Sequence, residues 1–176
     1  MTPVVFVHGN PEIDAVWDRL AAAGWTEQLR LSPPGFGAPV PARFEPTPEG
    51  YSDWLAAELE RIGEPVDLVG HDLGGRHVVH LSASRPELVR SWSSDAIGSF
   101  HPDYVWHELA QTWQTPGAGE QFMADRLTAG PEAGAASFAA RGMEATIAAR
   151  VAAGFDEAMA ACILRFYRAA LLFREV

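Results

Sequence analysis

The sequence predicts an α/β fold, a parallel sheet flanked by helices, and three observations predict it. Four short strand-like runs are separated by three stretches of helical periodicity in residues 1–98, and such alternation builds parallel sheets. A strand passes into a helix through a glycine-bracketed turn, Gly70-His71-Asp72-Leu73-Gly74-Gly75. From residue 101 onward the strands stop and helical patterns alone continue.

The first strand is Pro3 to Val7, ending in the turn His8-Gly9-Asn10-Pro11. Ile13, Val16, Trp17 and Leu20 then mark one helix face. Leu29 to Leu31 is a second strand, followed by the loop Ser32-Pro33-Pro34-Gly35-Phe36-Gly37. Residues 38–50, with Pro39, Pro41, Pro46 and Pro48, read as loop. Ser52 to Ile62 is a helix with Trp54, Leu55, Leu59 and Ile62 facing inward, ended by Gly63. Val66 to Val69 reads as a buried strand, and Val78, Val79 and Leu81 carry the helix after the turn. Arg90 to Ser94 is the fourth strand, with Asp95 at its carboxyl end, the edge where open α/β sheets build sites. Helices are then expected at Pro102–Gln111, Gly119–Leu127, Glu132–Ala140, Met143–Ala152 and Asp156–Phe173. The last is the clearest, with Met159, Cys162, Ile163, Phe166, Ala170 and Phe173 on one face.

The turn at Asp72 carries chemistry. The middle residue of such a turn sits in strained backbone geometry at the mouth of the sheet, beside a helix N-terminus. The Leu73 N–H points at charge formed there. A carboxylate whose pKa is typically near ~4 is ionised at neutral pH and attacks saturated carbon without prior deprotonation. The plain alternative is that Asp72 caps the helix.

The segment GHDLGG resembles the nucleophile elbow of the α/β-hydrolase fold, in the aspartate-nucleophile branch of haloalkane dehalogenases and epoxide hydrolases. The resemblance implies that HGNP supplies the second oxyanion donor through the Asn10 N–H, with the Asn10 side chain holding a departing halide. It also implies that His8 has a structural role, that Phe36 in the P-G-F-G loop closes one side of the site, and that the helices after Phe100 form a cap. Asp95 stands where some relatives place the third triad acid; a loop-fixing carboxylate is the competing reading. Arg76 matches one of two arginines that clamp a carboxylate in fluoroacetate dehalogenases, whereas Leu73 stands where the other would be. Leu73 also replaces the tryptophan that donates to halide in many dehalogenases. Arg76 pairing with a surface acid is the simpler expectation. Tyr104 and Tyr167 are the cap tyrosines available to protonate an opening epoxide, and His101, Trp106 and His107 are candidates to line the pocket.

The expected organisation is therefore an incomplete hydrolase core over 1–98 and a helical cap over 99–176. The formal net charge of −10 disfavours a nucleic-acid surface, and no apolar run is long enough to span a membrane. One cysteine, Cys162, allows no internal disulfide and fits a reducing cytoplasm. No metal or cofactor is expected; the partner is a small-molecule substrate. The family's general base, a histidine beyond the cap, has no counterpart here. His71 is expected to turn its side chain away, and His77 and His80 lie on the helix behind the elbow. The expectation is a fragment or split enzyme whose Arg90 strand needs a partner chain or a further segment to complete the sheet. Asp72 then attacks a small epoxide or haloalkane, but turnover stalls. A non-catalytic binding protein that keeps the fold is the alternative. A serine esterase lacks its G-x-S-x-G.

Overall fold

A computed structural model describes residues 2–25, 28–96 and 98–171. Four parallel strands, β1 (Val4–Val7), β2 (Gln28–Leu31), β3 (Val66–Gly70) and β4 (Val89–Ser94), pair in the order β2-β1-β3-β4. Val7 pairs with Gly70 and Gly70 with Ser94, so the carboxyl ends of β1, β3 and β4 finish side by side. That alignment brings the HGNP turn, the elbow and Asp95 to one edge.

One face of the sheet is covered by α2 (Pro48–Ile62) and α3 (Leu73–Ser84). Val5, Val7, Leu55, Leu59, Leu68, Val78 and Leu81 are buried between them. Burying each such side chain stabilises by roughly 1.5–3 kcal/mol before entropy is counted. The opposite face carries a 3-10 turn (Asp14–Trp17) and the short α1 (Asp18–Ala22). This thin cover explains β3, which was expected to be buried throughout. Val66, Leu68 and Gly70 are buried, but Asp67 and Val69 are only partly so. Asp67 accepts hydrogen bonds from Arg90 Nε at 2.8 Å and Ser91 Oγ at 2.6 Å, tying β3 to β4. Within the described sheet β4 is an edge strand, and Trp92 on it is half exposed.

The α2 helix starts earlier than its apolar pattern indicates. Thr47 accepts from the Gly50 N–H at 3.1 Å, and Pro48 occupies the first turn, where its missing N–H is no loss.

The helical layer is α4 (Glu108–Gln114), α5 (Ala118–Ala139), α6 (Ala145–Ala153) and α7 (Glu157–Ala170). The helix expected from Pro102 is absent before Glu108. Residues 104–107 run without regular structure, and the His107 ring accepts the Ala110 N–H at 3.1 Å to cap α4. The two helices expected at 119–127 and 132–140 form one kinked element, broken at Gly130 (φ 76°, ψ 178°) and Pro131. Asp156 caps α7, accepting from the Met159 N–H at 2.8 Å. Phe173 lies outside the described residues. Met159, Ile163, Phe166 and Tyr167 of α7 pack with Tyr51, Phe36, Leu73 and Trp113 in a second core beneath this layer.

Candidate active site

Asp72 is the one non-glycine residue with positive φ among those described (φ 50°, ψ −124°). That backbone state costs about 1–3 kcal/mol and persists where the surroundings over-determine it. Asp72 stands at the N-cap position of α3 but makes no side-chain capping bond to it. Its Oδ2 instead accepts the Asn10 N–H at 3.1 Å. The HGNP turn comes so close that a Cβ on Gly9 would lie 2.4 Å from the Asp72 Cβ. Burial pushes the Asp72 pKa up, and the N–H groups of Leu73 and Asn10 oppose that rise. Both predicted oxyanion donors thus act on this carboxylate.

Two cavities meet at Asp72. One, of about 170 Å³, is lined by Asp72, Leu73, Arg76, Tyr104, Trp106 and Tyr167, with His107 at its side. The other, of about 590 Å³, is lined by Asn10, Glu12, Trp17, His71, Asp72 and Met143, among others. Asp72 belongs to both linings.

Arg76 departs from the surface pairing expected of it. It is buried, its Nη1 donates to the Ser99 carbonyl at 3.4 Å, and its guanidinium lies 4.9 Å over the Phe100 ring. Among the described residues no carboxylate pairs with it. Burial lowers its pKa, as expected for a cation without an acid beside it. Tyr104, Trp106 and Tyr167 form an aromatic chain, with ring centroids 5.2 and 5.3 Å apart. The Tyr167 pKa is raised, first by burial and then by the Asp72 carboxylate, so its hydroxyl stays protonated. Asn10 lies near enough to ease that ionisation, yet neither side-chain atom of its buried amide has a formed hydrogen bond.

Two of the pocket candidates lie elsewhere. Phe36 is buried in the core, 5.9 Å from the Tyr51 ring, and lines neither cavity. The family-like loop turns its ring inward because Tyr51 and α7 offer apolar contact there. His101 is exposed in a turn, where its Nδ1 accepts the Asp103 N–H at 3.2 Å. His8 is buried: its Nδ1 contacts the Gly9 carbonyl at 2.9 Å, and burial lowers its pKa.

Sequence reading missed a cluster on the other side of the elbow. His71 does not turn away. Its Nδ1 lies 2.5 Å from Asp95 Oδ2, and its Nε2 lies 3.5 Å from Glu12 Oε1. Asp95 Oδ1 also accepts the Asp72 N–H at 2.9 Å, so Asp95 clasps the elbow and the ring together. Glu12 Oε2 accepts the Gly9 N–H at 3.3 Å. The signal available in the sequence was Glu12 itself, an acid three residues past a turn glycine. Glu12 chiefly, with Asp95, raises the His71 pKa to about 9 against the opposing effect of burial. Burial would raise Asp95, but His71 and the Asp72 N–H carry it below the usual range.

This cluster predicts a pH effect on stability. The folded pKa of His71, about 9, lies above the unfolded value of 6.5. Its contribution is fully present below pH 6.5 and is lost as pH rises through 9. The ring is 42% exposed, so solvent screening leaves about 1–2 kcal/mol. Urea midpoints should fall over that interval and flatten in His71→Gln; an unchanged slope in the variant would contradict this account.

Residues 4–174 match the alpha/beta hydrolase family. The chain belongs to that family. It is 28% identical over 109 residues to the carboxylesterase YbfK of Bacillus subtilis, covering 57% of this chain and 36% of that protein. Its fold matches an epoxide hydrolase from Vigna radiata (TM-score 0.74, 18% identity, 98% of this chain and 66% of that one). It also matches a haloalkane dehalogenase loop variant from Bradyrhizobium elkanii (TM-score 0.69, 20% identity, 98% and 63%). The chain thus spans about a third of the curated relative and about two thirds of these structures. Among the described residues no helix is long and apolar enough to cross a membrane.

Proposed function

We propose that this protein is a hydrolase in which Asp72 attacks a small alkyl halide or epoxide and forms a covalent alkyl ester. One observation carries the reading: a carboxylate at a strained elbow, held 3.1 Å from the Asn10 N–H, opens onto a cleft whose lining also holds a buried, acid-free arginine. The Asp72 oxygen forms a bond to carbon while the carbon–halogen or carbon–oxygen bond breaks. Halide leaves toward the Asn10 amide, whose N–H groups are buried and, among the described residues, make no formed hydrogen bond. That supplies the donor which Leu73 lacks. An epoxide oxygen takes its proton from Tyr167 or Tyr104. Residues 99–176 act as the cap that excludes water and shapes this cleft. Asp95 holds the elbow and is not itself the reacting acid.

Arg76 sets the preferred substrate class, a small molecule bearing a carboxylate next to the reacting carbon. A charge-assisted hydrogen bond to a buried group contributes about 1.5–3 kcal/mol. The test is intact mass after incubation with 2-haloacids and with neutral epoxides. A stoichiometric adduct at Asp72 is expected. Arg76→Gln should slow adduct formation by roughly 10- to 100-fold with the acids and leave neutral epoxides nearly unchanged. Unmodified protein across both panels would overturn the reading and favour a non-catalytic binding role.

A further inference from the structure

We propose that the larger of the two cavities at Asp72 takes an apolar chain carried by the reacting carbon, so that the preferred substrate is a 2-halo acid with an extended aliphatic substituent. The inference rests on the reading that Asp72 is alkylated. Asp72 is the one residue common to the two linings. A carbon under attack there has a substituent to place in each compartment.

Size and charge decide which substituent goes where. At roughly 30 Å³ for each water-sized group, 170 Å³ has room for about six such groups and 590 Å³ for about twenty. The cleft therefore suffices for a carboxylate and the carbon beside it, and several further carbons need the larger space. Arg76, buried and with no acid paired to it among the described residues, draws the carboxylate into the cleft. The larger cavity repels it, because the acid Glu12 is buried in that lining. Glu12 is itself engaged by the Gly9 N–H and His71.

Apolar side chains supply the rest of the inner lining. Val16 and Trp17 contribute from the 3-10 turn, and Phe138, Met143 and Ile147 from the helical layer. Phe138 and Ile147 are buried, whereas Arg19, Arg141 and Glu144 stand at exposed positions, so charge collects at the rim. Arg141 is also occupied there, donating to Ser137 and lying 5.4 Å over the Phe138 ring. In the reaction one Asp72 carboxylate oxygen forms a bond to carbon, the carbon–halogen bond breaks, and halide leaves with the bonding pair; no proton moves. With the carboxylate and the chain fixed in separate compartments, one enantiomer alone sets its carbon–halogen bond opposite the attacking oxygen.

The experiment follows Asp72 adduct formation by intact mass, using separated enantiomers of the straight-chain series from 2-bromopropanoate to 2-bromooctanoate. The second-order rate constant should rise roughly 2- to 4-fold with each added methylene until the cavity is full. The faster enantiomer's lead should widen along the series. Arg76→Gln should slow every acid alike and keep the dependence on length. Met143 is partly buried in the loop between α5 and α6, where a larger side chain has room to project into the cavity. Met143→Trp should cut the ratio of 2-bromooctanoate to 2-bromopropanoate rates by roughly 10-fold or more. Met143→Ala should move the best chain to a longer one, and a merely structural residue would not give these opposite changes. No adduct with any acid would remove the ester reading and this inference with it. Adducts that form at a rate indifferent to chain length, form equally from both enantiomers, or keep their full length dependence in Met143→Trp overturn the assignment of the cavity alone.

Discussion

Replacing Asp72 by asparagine should abolish covalent capture completely while leaving the protein as stable as before, or more so. The two halves of that result have one cause. Burial disfavours the charged form of Asp72 and raises its pKa, so the folded state holds an anion it would rather protonate. An amide of the same shape keeps the contact with the Asn10 N–H and drops the charge. Asparagine is also among the residues that best tolerate positive φ, here 50°. The expected gain is up to about 1 kcal/mol, as is common where a site trades stability for reactivity. Intact mass and urea denaturation of the same preparation measure both halves. A clear loss of stability would mean that the carboxylate is a structural cap, and the proposed chemistry would lose its support.

The largest structural effect is expected at Gly74. A Cβ there would sit 2.4 Å from the Val7 carbonyl oxygen and 2.5 Å from that of His8. Both are backbone atoms of β1 and the following turn, and neither can swing aside. Gly74→Ala must therefore push α3 away from the sheet, loosening Val78 and Leu81 and separating Asp72 from Asn10. Overpacking against backbone costs about 3 kcal/mol or more, a large share of a small domain's stability. Gly63 is the control. It adopts φ 82°, but a Cβ there meets nothing within 4 Å, so Gly63→Ala should cost only about 1–2 kcal/mol of left-handed strain. Thermal or urea unfolding of the two variants separates them. Equal losses would show that backbone conformation, and not close approach, makes Gly74 necessary. Asp72 alkylation should fall in Gly74→Ala and persist in Gly63→Ala.

The residues legible in advance were those whose signal is local. Val4 to Val7 and Val66 to Val69 form strands because β-branched runs fit the pleat. The Gly-x-Asp-x-Gly turn forms because glycine alone permits the approach of α3 to β1. The α7 stripe needed only the spacing of Met159, Ile163 and Phe166. The start of α4 was less legible. Trp106 packs its ring against Tyr167, more than sixty positions on, with Tyr104 packed on Trp106 in turn, and short-range pattern carries no trace of that.

Composition and spacing were enough to set the strands, the elbow, and the place of Asp72 at the middle of its turn, because each depends on neighbours a few residues away. Folding alone determined that Phe36 turns into the core, that Arg76 is buried with no acid paired to it among the described residues, and that His71 meets Glu12 and Asp95. These depend on which loops a parallel sheet delivers to the same edge. A side chain's partner across that edge is chosen by geometry in space, where distance along the chain counts for nothing.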